Sequence, residues 1–365
     1  LPEDRATPKL VGMSDDSLLR ESLRLQLADL NPRQRAQVMR AAGDVREVAH
    51  APLPDALRAS LLAVTDACVE AELRHARAAR VEIVTRAHPG WPPLLEETAD
   101  PPAALWVRGA LPDPERLPLA IVGSRRPSSY GLVVTRRLSR DMASLGALVV
   151  SGGARGVDGV AHDAALESGA PTLAVLGCGV DVAYPPEHAR LFGQIGGHGA
   201  VVSEHSLGTT PRKHHFPARN RLLAGWCHAV LVTEASRVSG ALITARLALE
   251  LGREVLAVPG PINSRSSEGT NDLIARGARM LRGAADLVAE LRADQRARLL
   301  PLESIRREPG GGDVVLASLA PGESAELDAL VARTGLATGP LLARLIALEL
   351  RGEMRSLAGG SWLRT

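Results

Sequence analysis

Six places along this 365-residue chain put glycines, arginines or polar groups directly after an apolar run. These are Gly123-Ser124-Arg125-Arg126, Ser151-Gly152-Gly153-Ala154-Arg155-Gly156, Gly177-Cys178-Gly179, Ser203-Glu204 with the Thr209–Arg221 stretch behind it, Glu234–Gly240, and Pro259-Gly260-Pro261. Glycine lets a backbone N–H approach an anion with no side chain between. Arginine neutralises phosphate, and a helix N-terminus such as the one expected near Val157 adds positive potential. Within the fourth place, Phe216-Pro217-Ala218-Arg219-Asn220-Arg221 sets one of only two phenylalanines beside two arginines and an amide. An aromatic face stacks on a base, and an amide bonds a base edge or a sugar. Gly123, Ser124, Arg125, Arg126, Gly152, Gly153, Ala154, Arg155, Lys213, Phe216, Arg219, Asn220, Arg221, Arg237, Ser239 and Gly240 are therefore the candidate contacts to a polyanion, with Phe216–Arg221 read as a loop entering a helix.

The apolar runs are the strands that must carry these loops: Leu119–Gly123, Ala147–Ser151, Pro171–Gly177, Ala200–Ser203, Ala229–Thr233 and Glu254–Val258, with Val81–Val84 a short strand candidate ahead of them. Between them lie helical patterns at Tyr130–Leu145, Val157–Ser168, Ser239–Leu251 and Thr270–Arg276. Continuous apolar runs alternating with helices predict a doubly wound, mainly parallel α/β sheet. In such a sheet ligands bind beyond the carboxyl ends of the strands, where all six loops emerge.

Around that centre the chain is expected to divide into a lead-in (residues 1–12), a helical domain (13–81) with one long amphipathic stretch at Leu57–Arg80, the sheet domain (82–295), a linker (296–313) and a tail (314–365). Segments around His88–Pro93, Asp100–Pro102 and Gly109–Pro118 read as loops. Helices at Ser324–Arg333 and Thr338–Arg351, followed by a Gly359-Gly360 hairpin, outline a helix-turn-helix with a wing. The second of these offers only Arg344 and Arg351 against Glu349, which favours protein contact or dimer support over groove reading.

Composition narrows the function. From Leu119 to Gly283 there are eighteen Lys and Arg against twelve Asp and Glu, whereas the tail from Val314 is balanced, so a polyanion meets the centre first. Three widely spaced cysteines suit a reducing cytoplasm and no zinc site. There is no apolar run of about 18 residues, and Leu1–Thr7 is polar, so neither a membrane span nor a signal peptide is expected. A dinucleotide fingerprint would follow the first strand, and no Gly-Lys-Ser/Thr loop occurs, so NAD binding and ordinary ATP hydrolysis are not expected.

Catalytic constellations are poor. His162 and Asp163 read as a buried or capping polar pair, His214-His215 as solvated or phosphate-facing, Glu204 and Glu234 as orienting groups for Arg or Asn, and Cys178 as a small buried residue. A binding protein without cofactor or metal is the expectation.

The central block resembles the DNA-processing protein A (DprA/Smf) family of single-strand DNA-binding recombination mediators. The resemblance covers roughly residues 82–283. It is carried by Gly123-Ser124-Arg125, Ser129-Tyr130-Gly131, Ser151-Gly152 through Asp158, Ala161-His162, Leu176–Gly179 with Asp181, Tyr184-Pro185, Phe216–Arg221, Ser239–Ala245, Val258-Pro259-Gly260 and Gly269-Thr270-Asn271. It implies an extended Rossmann core with a sterile-alpha-motif-like domain before it and a winged helix after it. It also implies DNA contacts at Arg125, the Gly152–Arg155 turn, Phe216, Arg219 and Asn220, with Ser239-Gly240 nearby. The family often has Lys where this chain has Arg155. The resemblance further implies a homodimer formed through the end of the core, here Leu256–Leu281, and loading of RecA recombinase onto single strands in natural transformation. Binding is then expected to be sequence-neutral and salt-sensitive, with a slope of log K on log salt near −3.5 for about five phosphate contacts. The rival reading is a nucleotide sensor or a LOG-type phosphoribohydrolase. Those enzymes carry Pro-Gly-Gly-x-Gly-Thr-x-x-Glu, but Ser239–Thr244 is followed by no acid until Glu250.

Overall fold

The computed structural model describes residues 13–302, 314–320, 322–350, 352–357 and 360–365. The predicted lead-in and residues 303–313 of the predicted linker lie outside them. The chain forms two units, residues 1–304 and 305–365.

The first unit opens with four helices, α1 (Met13–Leu27), α2 (Pro32–Ala42), α3 (Asp55–Leu62) and α4 (Asp66–Ala78). Asn31-Pro32 starts α2 as its chemistry dictates. The Asn31 side chain accepts from the Gln34 backbone N–H at 3.0 Å, and the Gln34 side chain accepts in return from Asn31. The stretch expected as one helix over Leu57–Arg80 is two. Thr65 breaks it by capping α4 through its hydroxyl, which accepts from the Cys68 N–H.

The sheet has nine strands, β1 (Val81–Thr85), β2 (Ala104–Gly109), β3 (Pro118–Val122), β4 (Leu148–Ser151), β5 (Thr172–Leu176), β6 (Ala200–Ser203), β7 (Ala229–Val232), β8 (Glu254–Ala257) and β9 (Arg279–Met280), in the order β1-β2-β6-β5-β4-β3-β7-β8-β9. From β6 to β9 every pairing is parallel; β2 runs antiparallel to both β6 and β1. Two strands differ from expectation. The flanking prolines mask β2 in the sequence, yet Ala104, Leu105, Trp106 and Val107 are all fully buried in its four-residue apolar run. β9 has only two residues, both exposed, and carries no apolar signal.

The remaining helices are α5 (Ser129–Ser144), α6 (Val157–Glu167), α7 (Ala189–His198), α8 (His215–Trp226), α9 (Ala241–Glu250), α10 (Glu268–Ala275), α11 (Ala284–Glu290) and α12 (Ala293–Arg296). Strands β3 to β7 are buried along their whole length, as a parallel sheet covered on both faces requires. On one face, Leu23, Val38, Leu57 and Val69 of the opening helices share a core with Trp106, Leu176 and Phe192, so those helices pack on the sheet. On the other, Leu222, Leu223 and Trp226 of α8 join Val122, Val150 and Val230.

The chain steps from β3 through β4 and β5 to β6, then returns by α8 to place β7 on the other side of β3. This reversal of strand order opens a crevice at the carboxyl ends of β3 and β7.

The second unit contains α13 (Val314–Ala317), β10 (Ser324–Glu326), α14 (Leu327–Thr334), α15 (Thr338–Leu350), β11 (Met354–Ser356) and β12 (Ser361–Arg364), with strand order β10-β12-β11. Leu330, Leu341, Leu345, Leu348, Met354 and Trp362 form its own core, giving a winged helix. The helix expected from Ser324 begins three residues late, because Ser324–Glu326 pairs with β12. Gly335 ends α14 at φ +70°, the left-handed position glycine favours.

Candidate nucleic-acid interface

The crevice is held rigid from beneath. The Ser124 N–H donates to the Glu234 carbonyl at 2.7 Å, and the Ser124 carbonyl accepts from Val157 at 3.1 Å, tying the β3 loop to β7 and to the start of α6. The Glu234 carboxylate accepts from the Ser128 hydroxyl at 2.6 Å and from its N–H, and Ser128 in turn caps α5. A Cβ on Gly131 would fall on that carboxylate. Glu234 thus fixes the Arg125 loop through Ser128 and orients no Arg or Asn side chain. Glu204 does orient arginines, Arg221 and Arg35.

Above this frame lies a groove of about 700 Å³ lined by Gly123, Ser124, Arg125, Arg126, Ala154, Lys213, Phe216, Arg219, Asn220, Ser239 and Gly240, together with Asp158 and Tyr184. Eleven of the sixteen residues singled out in the sequence therefore meet at one place. Phe216 belongs to the first turn of α8 rather than to a loop. The Arg125 guanidinium carbon sits 5.3 Å from the Phe216 ring centroid, and the Tyr184 ring lies 5.6 Å away at 38°. Tyr184 lines the groove but is not among the candidates singled out in the sequence. Its signal was present, since it is one of two tyrosines in a chain with 2% aromatics.

The other five residues stand apart from this groove. Gly152 and Arg155 line an adjoining pocket, which also takes Arg125, Ala154, Tyr184, Phe216 and Arg219. Arg155 is exposed and bidentate to Glu187, with Nη2 donating at 3.0 Å. Arg237 pairs with Asp272 at 3.1 Å and faces a separate cleft beside α9 and α10. Arg221 corrects the sequence reading most clearly. It is buried, ion-paired with Glu204 and 3.6 Å from Asp100, and Arg35 of α2 lies 3.9 Å from the same Glu204. Two residues along a helix point about 200° apart. When Arg219 faces the groove, Arg221 faces the opposite side and ties α8 to the opening helices.

The glycines also have a different cause from the one expected. The φ of Gly153 is +66°, and a Cβ there would lie 2.7 Å from the Phe192 ring. One on Gly123 would lie 2.7 Å from the Val157 side chain. A Cβ on Gly152 would overlap the Arg219 guanidinium. These positions are small so that neighbours can pack. Gly240 differs: nothing lies within 4 Å of its missing Cβ, so a side chain there would project into open space at the groove.

Arg219 is 4% exposed, its Nη1 donates to the Val175 carbonyl at 2.7 Å, and its Nε has no partner. Burial lowers its pKa, opposed by the Asp158 carboxylate. Asp158, itself pushed up by burial, accepts from the Ala154 N–H at 3.2 Å and closes the turn at α6. Asn220 places its amide 3.5 Å from the Gly240 carbonyl. Nearby, the Cys178 thiol is pushed up to about 11 by burial and donates to the Val182 carbonyl, an unreactive setting. His162 donates through Nδ1 to the Thr172 hydroxyl at 2.8 Å, and the hydroxyl donates onward to the Val149 carbonyl, a buried structural link. His215 is bonded to the Gly177 carbonyl and stacked on His205 at 4.2 Å, so it is packed rather than solvated; its neighbour His214 is exposed.

Comparison with known proteins places this geometry. A family model described as DNA recombination-mediator protein A matches residues 82–292, and one described as DprA winged helix domain matches residues 304–360. Protein Smf of Escherichia coli is 39% identical over 277 residues, covering 74% of this chain and 74% of that protein. The DNA processing protein DprA of Mycobacterium tuberculosis, assigned there as putative, is 37% identical over 277 residues, covering 72% and 68%. Among solved structures, DNA processing protein A of Streptococcus pneumoniae aligns with a TM-score of 0.68 at 33% identity, over 75% of this chain and 98% of that one. The Helicobacter pylori protein, described for its single-stranded DNA binding mode, aligns with a TM-score of 0.51 at 31% identity, over 57% and 94%. With over half its length in the first of those matches, and with the winged helix in the second, this chain belongs to the DNA recombination-mediator protein A (DprA/Smf) family.

Proposed function

We propose that this protein binds single-stranded DNA in the groove at the carboxyl ends of β3 and β7, largely without regard to sequence, and does no chemistry on it. The observation that carries this reading is the Arg125–Phe216–Tyr184 cluster over a cationic floor. Aromatic rings beside arginines suit strands whose bases are free to stack, and every base offers a face. Asn220, the one side-chain amide in the groove, is turned toward the Gly240 carbonyl, which leaves little to read base edges. The phosphoribohydrolase reading lacks its acid. Glu234 is committed to Ser128, Glu250 lies at the far end of α9, and Asp158 is the one carboxylate lining the groove, held by Ala154.

Membership of the family supports a wider role. The bound strand is protected and passed to RecA recombinase during natural transformation, in the cytoplasm, by a homodimer. Ile262 and Met280, 96% and 45% exposed and both within Leu256–Leu281, favour self-association there. The decisive experiment is oligo-dT binding by the full chain and by Arg125→Ala, competed with duplex DNA and with free nucleotides. Strong binding displaced only by single strands, and weakened by the substitution, is expected. Displacement by mononucleotides with release of free base from AMP would replace this reading with the enzymatic one.

A further inference from the structure

The adjoining pocket shares the Phe216 and Tyr184 rings with the groove, and its chemistry differs from that of the groove. Its lining holds three arginines, Arg125, Arg219 and the Glu187-paired Arg155, and, among the described residues, no carboxylate. Gly152, Gly177 and Cys178 also line it, and its volume is about 30 Å³. At roughly 10–15 Å³ per water that is room for about two waters. A base or a sugar does not fit; a phosphoryl group does. Arg219 is nine-tenths buried there, with its Nη1 on the Val175 carbonyl and, among the described residues, no carboxylate within ion-pair distance. A buried cation is costly unless an anion completes it, and Asp158 offsets Arg219 only from beyond ion-pair distance. The turn leading into α6 adds the positive end of an eleven-residue helix.

We propose that this pocket takes a terminal phosphate monoester of the bound strand, so that the protein seats a strand end as well as a strand interior. This rests on the single-strand reading above. A diester in mid-strand must bring chain in and out on both sides, for which a pocket of about 30 Å³ leaves no room. A monoester enters on one bond. It also carries about −1.5 to −2 charge against −1, with three oxygens to accept from Arg219, Arg155 and Arg125.

The test uses the full chain and internally labelled dT oligonucleotides with a 5′-phosphate, a 3′-phosphate or neither. One phosphorylated form is expected to bind at least about tenfold more tightly than the unphosphorylated strand, and which one identifies the end that is seated. Inorganic phosphate, at ionic strength matched with chloride, should erase that advantage while leaving the unphosphorylated strand bound. Arg155→Gln, at an exposed position where folding is not at stake, should do the same; Arg219→Lys serves as a second variant that keeps the buried charge. Equal affinity for all three strands overturns the inference and leaves single-strand binding standing. An advantage that survives both phosphate and Arg155→Gln overturns it too, by placing the end elsewhere. Failure of every strand to bind removes the reading on which it rests.

Discussion

The guanidinium of Arg219 occupies the space that a Cβ on Gly152 would need. One residue thus makes room, at the end of β4, for the buried cation that α8 delivers to the crevice. Gly152 has no positive φ, so its backbone is open to any residue and the constraint is wholly steric. Gly152→Ala should displace Arg219 and cost about 1–3 kcal/mol, the usual penalty of overpacking. Urea denaturation measures the cost, and oligo-dT binding should weaken in the same variant. A variant with wild-type stability and wild-type affinity would contradict the packing described.

Phe216 and Tyr184 present two ring faces at one wall of the groove. Base stacking on an aromatic is worth about 1–3 kcal/mol per base by alanine substitution. Phe216→Ala and Tyr184→Ala should therefore each reduce oligo-dT affinity by roughly fivefold to a hundredfold, with Phe216→Trp retaining most of it. Fluorescence anisotropy reads the affinity, and thermal melting checks that the fold is intact.

Arg221 and Arg125 should separate stability from binding. Removing Arg221 leaves Glu204 buried with its main partner gone, a loss of about 3–5 kcal/mol by the usual cost of breaking a buried pair. Arg221→Met should lower the melting temperature while the folded fraction binds oligo-dT within about twofold of wild type. Arg125→Ala should do the reverse, since Arg125 is exposed and its described contact is the Phe216 ring.

Four cations line the groove, Arg125, Arg126, Lys213 and Arg219. Arg221 and Arg237, counted among the candidates from sequence, are engaged by carboxylates elsewhere. The slope of log K on log salt is accordingly expected near −2.8, about 0.7 per contact, rather than near −3.5. A salt titration of oligo-dT binding measures it, and a slope near zero would contradict a phosphate-tracking groove.

Much of this was legible in the sequence, and what was not has identifiable causes. The parallel strands are unbroken apolar runs, and the loops after them carry Gly, Arg and Phe in a chain poor in aromatics, so both the crevice and most of its lining could be read. Arg221 could not be placed, because Phe216–Arg221 reads as a loop entering a helix and the sequence does not mark where the helix begins. In a loop neighbouring side chains can share a face; on α8 the residue two positions from Arg219 must turn away from it. The glycines misled for a related reason. A missing side chain looks the same in sequence whether the space serves a ligand, as Gly240 allows, or a neighbour, as Arg219 does at Gly152 and Phe192 does at Gly153. Tyr184 lay in a tyrosine–proline pair on a different loop, and only the fold brings it to Phe216.

His162 gives the structure a dependence on pH that can be isolated. Burial, followed by the positive charges of His188 and Arg219, lowers its pKa from 6.5 to about 3. Its Nδ1 proton goes to Thr172, and its Nε2 is buried without a partner, so a second proton there would have no acceptor. The unfolded chain takes up that proton near pH 6.5 and the folded protein does not. The stability that this site contributes is therefore complete above about pH 6.5 and is lost as pH falls toward 3, by up to about 1.4 kcal/mol per pH unit. Buried Asp158, raised by burial, acts in the opposite sense at the acid end, which makes the raw stability curve ambiguous. The difference between wild type and His162→Gln removes that ambiguity, since glutamine offers Thr172 an N–H and does not titrate. The wild type's advantage over the variant should shrink steadily between pH 7 and 5 in urea denaturation. A difference that stays constant across that range would mean that His162 is protonated in the folded protein or exposed to solvent there.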